Sequence, residues 1–322
     1  MEDIRFYNYE FELLHIESNF ISSNWQVRYN EVGQFEAHFP LDSEMVRTAS
    51  ENPFLVAVQG KNTAIITGKK AGEDFAIFGR TCNWLLTKRI VPAFTEKTGT
   101  VAELACGLAQ EAFADTENFA CEVCGEFENS FSFKKEEYLP LFDVISECLN
   151  LDGAGHELVF DVEKKQWVLQ IRCGRELELL ISEDNRNASY GEICEDILER
   201  YDVGWYRQKQ ETEEGQTFVW TSVERSQAQG IYRSECLLSA QTQEEAEREL
   251  AEKKKNFSLT IESLGVRWRT DYELGDVVRV QVKKGSLVCT GSKRITGVHL
   301  WYEEGEIGEQ PIMQEKEEED GI

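Results

Sequence analysis

The sequence is short of basic residues. Its 322 residues include 34 lysines and arginines against 60 aspartates and glutamates, which gives a formal net charge of -26. Proteins that bind nucleic acids neutralise phosphates with clustered lysine and arginine side chains, so this balance argues against nucleic-acid binding. Anionic membrane surfaces are disfavoured for the same reason. We therefore expect neither a specific nucleic-acid partner nor a membrane partner.

Long hydrophobic runs are also missing. No apolar segment approaches about 20 residues, the length of a membrane-spanning helix. The N-terminal residues Met1-Glu2-Asp3-Ile4 lack the basic region and the apolar core of a signal peptide. Without an export signal, the nine scattered cysteines are expected to be free thiols in a reducing cytoplasm.

Motifs for catalysis and for cofactors are absent as well. There is no phosphate-binding loop, dinucleotide-binding glycine pattern, nucleophile elbow or zinc-protease motif. Cys121 and Cys124 are the only close cysteine pair, and they lack the second pair of a zinc ribbon and the strand-to-helix setting of a thioredoxin-like site. The four histidines (His15, His38, His156 and His299) fall in predicted strands, where structural roles are commoner. We expect no enzyme activity, no cofactor, and no catalytic, cofactor-binding or metal-binding residue.

What the sequence does contain is enough apolar material to fold. Hydrophobic residues make up 41% and aromatic residues 11% of the chain. Residues 1–95 are predicted to form a first β domain that ends in a short helix from Cys82 to Arg89. Its clearest signal is a hairpin around the turn at residues 30–33, with apolar side chains at every second position. These are Trp25, Val27, Tyr29, Phe35, Ala37 and Phe39.

Residues 96–154 are predicted to form a small helical insert. Thr100 and Glu103 have the spacing of a capping box, followed by apolar residues at helical intervals. A second helix is expected from about Pro140 until the stop at Asp152-Gly153. Cys106 and Cys148 lie on these two helices, where we expect them to fill the core.

Residues 155–310 are predicted to form a second β domain. One helix near residues 242–255 interrupts it, and Thr242 and Glu245 form its capping box. Strands are expected at residues 156–162, 166–173, 177–182, 204–210, 216–223, 230–238, 258–264, 276–282 and 286–300. Residues 184–202 fit a helix or a strand equally well. The final residues 311–322 are predicted to be a disordered acidic tail. The fold class is therefore mainly β (α+β), with two barrel or sandwich domains and a helical insert.

Short motifs recur along the chain at residues 25–29, 33–40, 64–68, 77–80, 84–90, 230–235, 272–278 and 294–298. Each motif alone is common, but their order and spacing over about residues 4–302 resemble the siphovirus Gp37-like tail proteins, relatives of the phage baseplate hub. The cysteine-containing insert and residues 184–202 have no counterpart in the family pattern.

The resemblance implies two tail-tube-like β domains per chain and assembly as a homotrimer. Three chains with two such domains each supply six tube-like units. That ring would be a symmetry adaptor, with a pseudo-sixfold face for the tail tube or distal tail protein and a threefold face for a tail spike. The tape-measure protein is a further expected partner. The implied location is the virion tail, assembled in the bacterial host cytoplasm.

The acidic charge fits a channel for genome passage, since a negative wall offers DNA no phosphate-binding sites. The acidic residues would equally keep an outer surface soluble.

Some hubs carry an appended peptidase or muramidase domain. Because this sequence ends soon after the last predicted strand, we expect cell-wall cleavage to belong to another polypeptide.

Three other interpretations stay open at this point. The chain could be the hub of a contractile bacteriocin or of an injection particle without a genome. It could be a tail-associated cell-wall hydrolase that uses its acidic residues. It could also bind carbohydrate through exposed Trp205, Trp220 or Trp301, although tryptophans in strands are usually core residues.

Overall fold

Strands dominate the computed structural model, with 53% of the residues in strands and 17% in helices. The structure describes residues 2–196, 198, 200–212, 215–225, 230–253 and 256–315. The predicted fold class, mainly β with a helical insert, is confirmed. Within those residues, no helix is long and apolar enough to cross a lipid bilayer.

The first part of the chain forms seven strands and one α-helix, followed by a 3-10 helix at Cys82–Lys88. Alternating apolar residues produce the strands, and the predicted hairpin is present with Trp25 opposite Phe35. The elements are β1 (Ile4–Tyr7), β2 (Leu13–Glu17), β3 (Ser22–Arg28), β4 (Gln34–Phe39), α1 (Glu44–Glu51), β5 (Val56–Gln59), β6 (Asn62–Ala71) and β7 (Phe75–Thr81).

The predicted helical insert contains two helices, and it also contains strands that its sequence pattern did not indicate. Thr100 caps α2 through a capping box, in which its side chain accepts a hydrogen bond from the Glu103 N–H at 3.2 Å. The elements from residue 90 onward, the first of which precedes the predicted insert, are β8 (Ile90–Val91), β9 (Thr95–Thr100), α2 (Val101–Ala112), β10 (Phe119–Cys124), β11 (Ser130–Lys135), β12 (Leu139–Pro140) and α3 (Leu141–Asn150).

The last part of the chain returns to strands, with one helix, α4, whose predicted capping box at Thr242 is present. Its first strands are β13 (Ala154–Asp161), β14 (Gln166–Cys173), β15 (Glu176–Ser182), β16 (Ala188–Asp196), β17 (Val203–Thr212) and β18 (Gly215–Glu224). The remaining elements are β19 (Glu235–Leu237), α4 (Gln243–Glu252), β20 (Asn256–Ser263), β21 (Val277–Lys284), β22 (Leu287–Glu303) and β23 (Glu306–Glu315).

Several predicted boundaries need correction. The expected helix from Cys82 to Arg89 is a 3-10 helix. The strand expected over residues 230–238 is a 3-10 turn at Gly230–Tyr232 and the short strand β19, because Gly230 has a φ of 66°. The ambiguous segment 184–202 contains β16. Residues 311–315, which were expected to be disordered, belong to β23. The rest of the predicted tail, residues 316–322, lies outside the described residues. Residues 254–255 of the helix expected near 242–255 also lie outside them.

The strands form one large sheet and five small ones. The order of the large sheet is β15-β21-β22-β3-β4-β7-β6-β5-β1-β2, and β23 pairs with β22 off this path. Strand β3 pairs antiparallel with β22, so Trp25 lies opposite Leu300. Strands from both ends of the sequence therefore share one sheet, and the division into 1–95, 96–154 and 155–310 stays a prediction.

The chain divides into two compact units. Unit 1 contains residues 1–189, 262–281 and 290–322, and unit 2 contains residues 190–261 and 282–289. Two apolar clusters of unit 1 lie wholly within the described residues. One lies around Trp25, Phe35 and Phe39. The other surrounds α2 and α3, with Leu104 and Ile145 buried in it.

Unit 2 is built on the sheet β18-β17-β19. Its buried face consists of Tyr206 and Val223, which pack in one cluster with Ala246 and Leu250 of α4. Burial of this apolar face on the helix stabilises the unit.

Buried polar contacts join distant segments of unit 1. The Trp25 Nε1–H donates to Gln59 Oε1 at 2.7 Å. The buried Asn83 side chain donates to the Glu31 carbonyl at 3.0 Å and accepts from the Leu158 N–H at 2.7 Å. Because buried polar groups are costly unless paired, these contacts fix β13 beside the 3-10 helix.

Candidate assembly surface

The large sheet has two different edges. Strand β15 stands at one end of its strand order and β2 at the other. Strand β15 pairs parallel with β21, whereas β2 pairs antiparallel with β1. Edge strands are templates for pairing with another chain. Two different edges allow a head-to-tail contact between copies, in which one edge meets the other.

Strand β2 is apolar on the face that points away from the core. Leu14 is 37% exposed and Ile16 46% exposed. Ile16 lies opposite the exposed Arg5, whereas His15 lies opposite the fully buried Phe6. Soluble proteins usually protect such edges with charged residues or proline. Two exposed aliphatic side chains on an edge strand make β2 a candidate contact surface.

A polar contact holds the end of β2 in place. The buried Glu17 carboxylate accepts hydrogen bonds from the Ser43 hydroxyl at 2.5 Å and the Asn19 N–H at 2.8 Å. Ser43 is the N-cap of α1, where its Oγ accepts from the Met45 N–H. Burial alone would raise the pKa of Glu17, but these hydrogen bonds outweigh it and the pKa lies below its ordinary value. The edge strand is thus tied to a helix.

Periodicity alone does not single out β2. The signal was present, since Leu13-Leu14-His15-Ile16 is an apolar run without lysine or proline. What the run does not disclose is that this strand stands at the end of a sheet. That position follows from pairings between segments far apart in sequence.

The three tryptophans considered for carbohydrate binding lie in both units. Trp205 and Trp220 are on the neighbouring strands β17 and β18 of unit 2, and Trp220 is 53% exposed. The Arg207 guanidinium lies 4.7 Å from the Phe218 ring centroid and 5.9 Å from that of Trp220. Trp301 is half-buried in β22 of unit 1. Carbohydrate binding at these residues stays a prediction.

The close cysteine pair of the sequence is separated by the structure. Cys121 and Cys124 lie three residues apart in β10, so their side chains point to opposite faces about 10 Å apart. Cys121 instead lies beside Cys106 of α2, with its Sγ 3.9 Å from the Cys106 carbonyl oxygen. In the part of the chain that is described, no three His, Cys, Asp or Glu side chains cluster as metal ligands.

The four histidines all lie in strands, as predicted, and one of them contacts a serine. The Ser146 Oγ lies 3.0 Å from His156 Nε2, and burial lowers the pKa of His156 to about 4. His156 Nδ1 has no hydrogen-bond partner among the described residues. A catalytic serine–histidine pair needs a third group to orient the imidazole and an open site for substrate. This buried pair fits a structural role.

No family model matches the sequence, and no curated protein gives a significant match. Solved structures do match the fold. A tail protein from Neisseria meningitidis is 14% identical, with a TM-score of 0.57 over 97% of this chain and 96% of that one. A 43 kDa tail protein of prophage MuSo2 from Shewanella oneidensis is 11% identical, with a TM-score of 0.55 over 98% of each chain.

A prophage tail protein from Listeria monocytogenes is similar to the same degree. It is 13% identical, with a TM-score of 0.54 over 98% of this chain and 95% of that one. At such low identities the likeness establishes the fold and nothing finer. The chain has the fold of phage tail proteins along nearly its whole length. The siphovirus Gp37-like family itself stays a prediction.

Proposed function

We propose that this chain is a structural hub protein of a phage tail tip that assembles as a homotrimer. The observation that carries the proposal is the tail-protein fold over nearly the whole chain, built on an open sheet with an apolar edge. A sheet of this kind buries its edge strands when copies join. The protein then acts by its shape and its contacts, without catalysis.

Two unlike edges allow a head-to-tail ring, and the number of three copies is taken from the resemblance to the tail hub proteins. When the β2 edge of one copy meets the β15 edge of the next, every copy makes the same two contacts. Such head-to-tail contacts give a closed ring if the rotation closes and a filament if it does not. A rotation of one third of a turn closes the ring with three copies. Three chains, each with two tube-like domains in residues 1–95 and 155–310, then present six similar units.

Six units on one face and three on the other make the ring a symmetry adaptor. The pseudo-sixfold face would contact the tail tube or a distal tail protein, and the threefold face a tail spike. The tape-measure protein would be a further partner of the ring at the tail tip. These partners locate the protein in the virion tail, after assembly in the host cytoplasm. The net charge of -26 per chain suits the wall of a channel that passes DNA without binding it.

Substitutions on β2 test the ring. Ile16→Lys and Leu14→Lys place a charge in the proposed contact, where an unpaired buried charge is strongly unfavourable. Leu151→Lys is the matched control, because Leu151 is also exposed but ends α3 and is not on the sheet edge. We expect the wild type and Leu151→Lys to sediment as trimers and the two β2 variants as folded monomers.

Circular dichroism separates loss of assembly from loss of folding. Leu14 and Ile16 lie outside the apolar core, so the spectra of the β2 variants should match that of the wild type. A β2 variant that remains fully trimeric would show that β2 is not the contact. A wild type that stays monomeric with its tube and spike partners present would overturn the hub proposal.

A further inference from the structure

Two cysteines from different elements come together in unit 1. Cys106 lies in α2, and Cys121 follows 15 residues later in β10. The Cys121 Sγ lies 3.9 Å from the Cys106 carbonyl oxygen, which brings the Cys121 thiol beside the Cys106 residue. Both side chains pack against the apolar cluster around α2 and α3 while remaining partly exposed. A small disulfide reagent can therefore reach them.

We propose that Cys106 and Cys121 form a redox modification site, at which a disulfide such as oxidised glutathione converts the two thiols into an intramolecular disulfide. A bond between them would tie β10 to α2. Strand β10 is the edge of the sheet β10-β14-β13 and pairs with β14 alone among the described strands. The bond would thus add a covalent link to α2 for a strand that is hydrogen-bonded to the sheet along one edge only.

The chemistry proceeds in two exchange steps. The Cys106 thiolate attacks one sulfur of oxidised glutathione, which forms a mixed disulfide and releases one glutathione thiolate. The Cys121 sulfur, after losing its proton, attacks the Cys106 sulfur and releases the second glutathione. The two protein thiols lose two electrons and two protons in total, and oxidised glutathione is reduced to two glutathione molecules. The interaction between the two side chains lowers the pKa of Cys106 and raises the pKa of Cys121, so Cys106 is the first attacking thiol of the pair.

Three other cysteines of unit 1, Cys124, Cys82 and Cys148, differ from this pair. Cys124 is exposed, but it lies on the opposite face of β10 from Cys121. Cys82 and Cys148 are buried in the core, and burial raises the pKa of both thiols, to about 12 and about 11. Cys124 should accept glutathione without cross-linking, whereas Cys82 and Cys148 should stay reduced. The pair is also independent of the β2 edge, so it is tested separately from assembly.

The test is peptide mapping of the folded protein after exposure to oxidised glutathione, with free thiols alkylated before digestion. We expect a Cys106–Cys121 cross-linked peptide, about 2 Da lighter than its two reduced parts and removed by dithiothreitol. The cross-link should survive in Cys124→Ser and be lost in Cys106→Ser and Cys121→Ser. A glutathione adduct that persists on Cys106 in the wild type, or a bond from Cys121 to Cys124, would overturn the proposal.

A second measurement covers the possibility that a serine variant folds poorly. In the wild type and in Cys124→Ser, oxidation should raise Tm on the order of 5 °C, since the bond closes a loop of about 15 residues. Dithiothreitol should reverse the shift. An unchanged Tm in the cross-linked protein would contradict the proposal that the bond stabilises β10 on α2. Absence of any cross-link in the wild type would contradict the modification site itself.

Discussion

His156 should make the folded protein lose stability in mild acid. Its side chain is only 2% exposed, and burial lowers its pKa to about 4, against 6.5 for an exposed histidine. Between these values the unfolded chain binds a proton that the folded chain does not, so acid favours unfolding. The stabilisation is complete above pH 6.5 and is lost as the pH falls towards 4. From pH 7 to pH 5 the loss amounts to about 2 kcal/mol.

The assay is urea unfolding at pH 7 and pH 5, followed by tryptophan fluorescence. We expect His156→Gln to lose about 2 kcal/mol less than the wild type between the two pH values, because glutamine does not titrate. His38→Gln is a control that should change the acid-dependent loss of stability in the opposite direction, so this variant should lose more stability in acid than the wild type. Burial would lower the pKa of His38, but hydrogen bonds with Asp74 and Glu36 raise it, so His38 stabilises the fold in acid. Equal acid losses in the wild type and His156→Gln would refute the reasoning.

Two further substitutions test contacts that shape unit 1. Asn83→Ala leaves the Leu158 N–H and the Glu31 carbonyl without their buried partner, and should cost about 3 kcal/mol in urea unfolding. A cost below about 1 kcal/mol would show that the contact is dispensable. Thr100→Ala removes the capping box of α2 and should cost about 1 kcal/mol. Thr100→Ser keeps the cap and serves as its control; an equal loss in both variants would contradict the capping role.

The sequence predicted those elements whose pattern depends on residues close together in the chain. The alternation around residues 30–33 predicted the β3–β4 hairpin, and the structure pairs Trp25 with Phe35. The capping boxes at Thr100 and Thr242 predicted the starts of α2 and α4. Each of these signals depends on neighbours within a few residues, which a single sequence displays.

The candidate surface could not be predicted in that way. Strand β2 is an edge because it pairs with β1 alone among the described strands, while the other side of β1 is taken by β5 (Val56–Gln59), which lies far along the chain. The cysteine spacing drew attention to Cys121 and Cys124, whereas the fold places Cys121 beside Cys106. In both cases a contact between separate elements decides the outcome, and single-sequence periodicity carries no information about such contacts.

The central claim is a homotrimer at the tail tip, and the mass of the assembled protein tests it most directly. Native mass spectrometry of the full chain, alone and with its spike partner, should give a species of three chains of 37.0 kDa each. A chain that remains a monomer under both conditions would contradict the account.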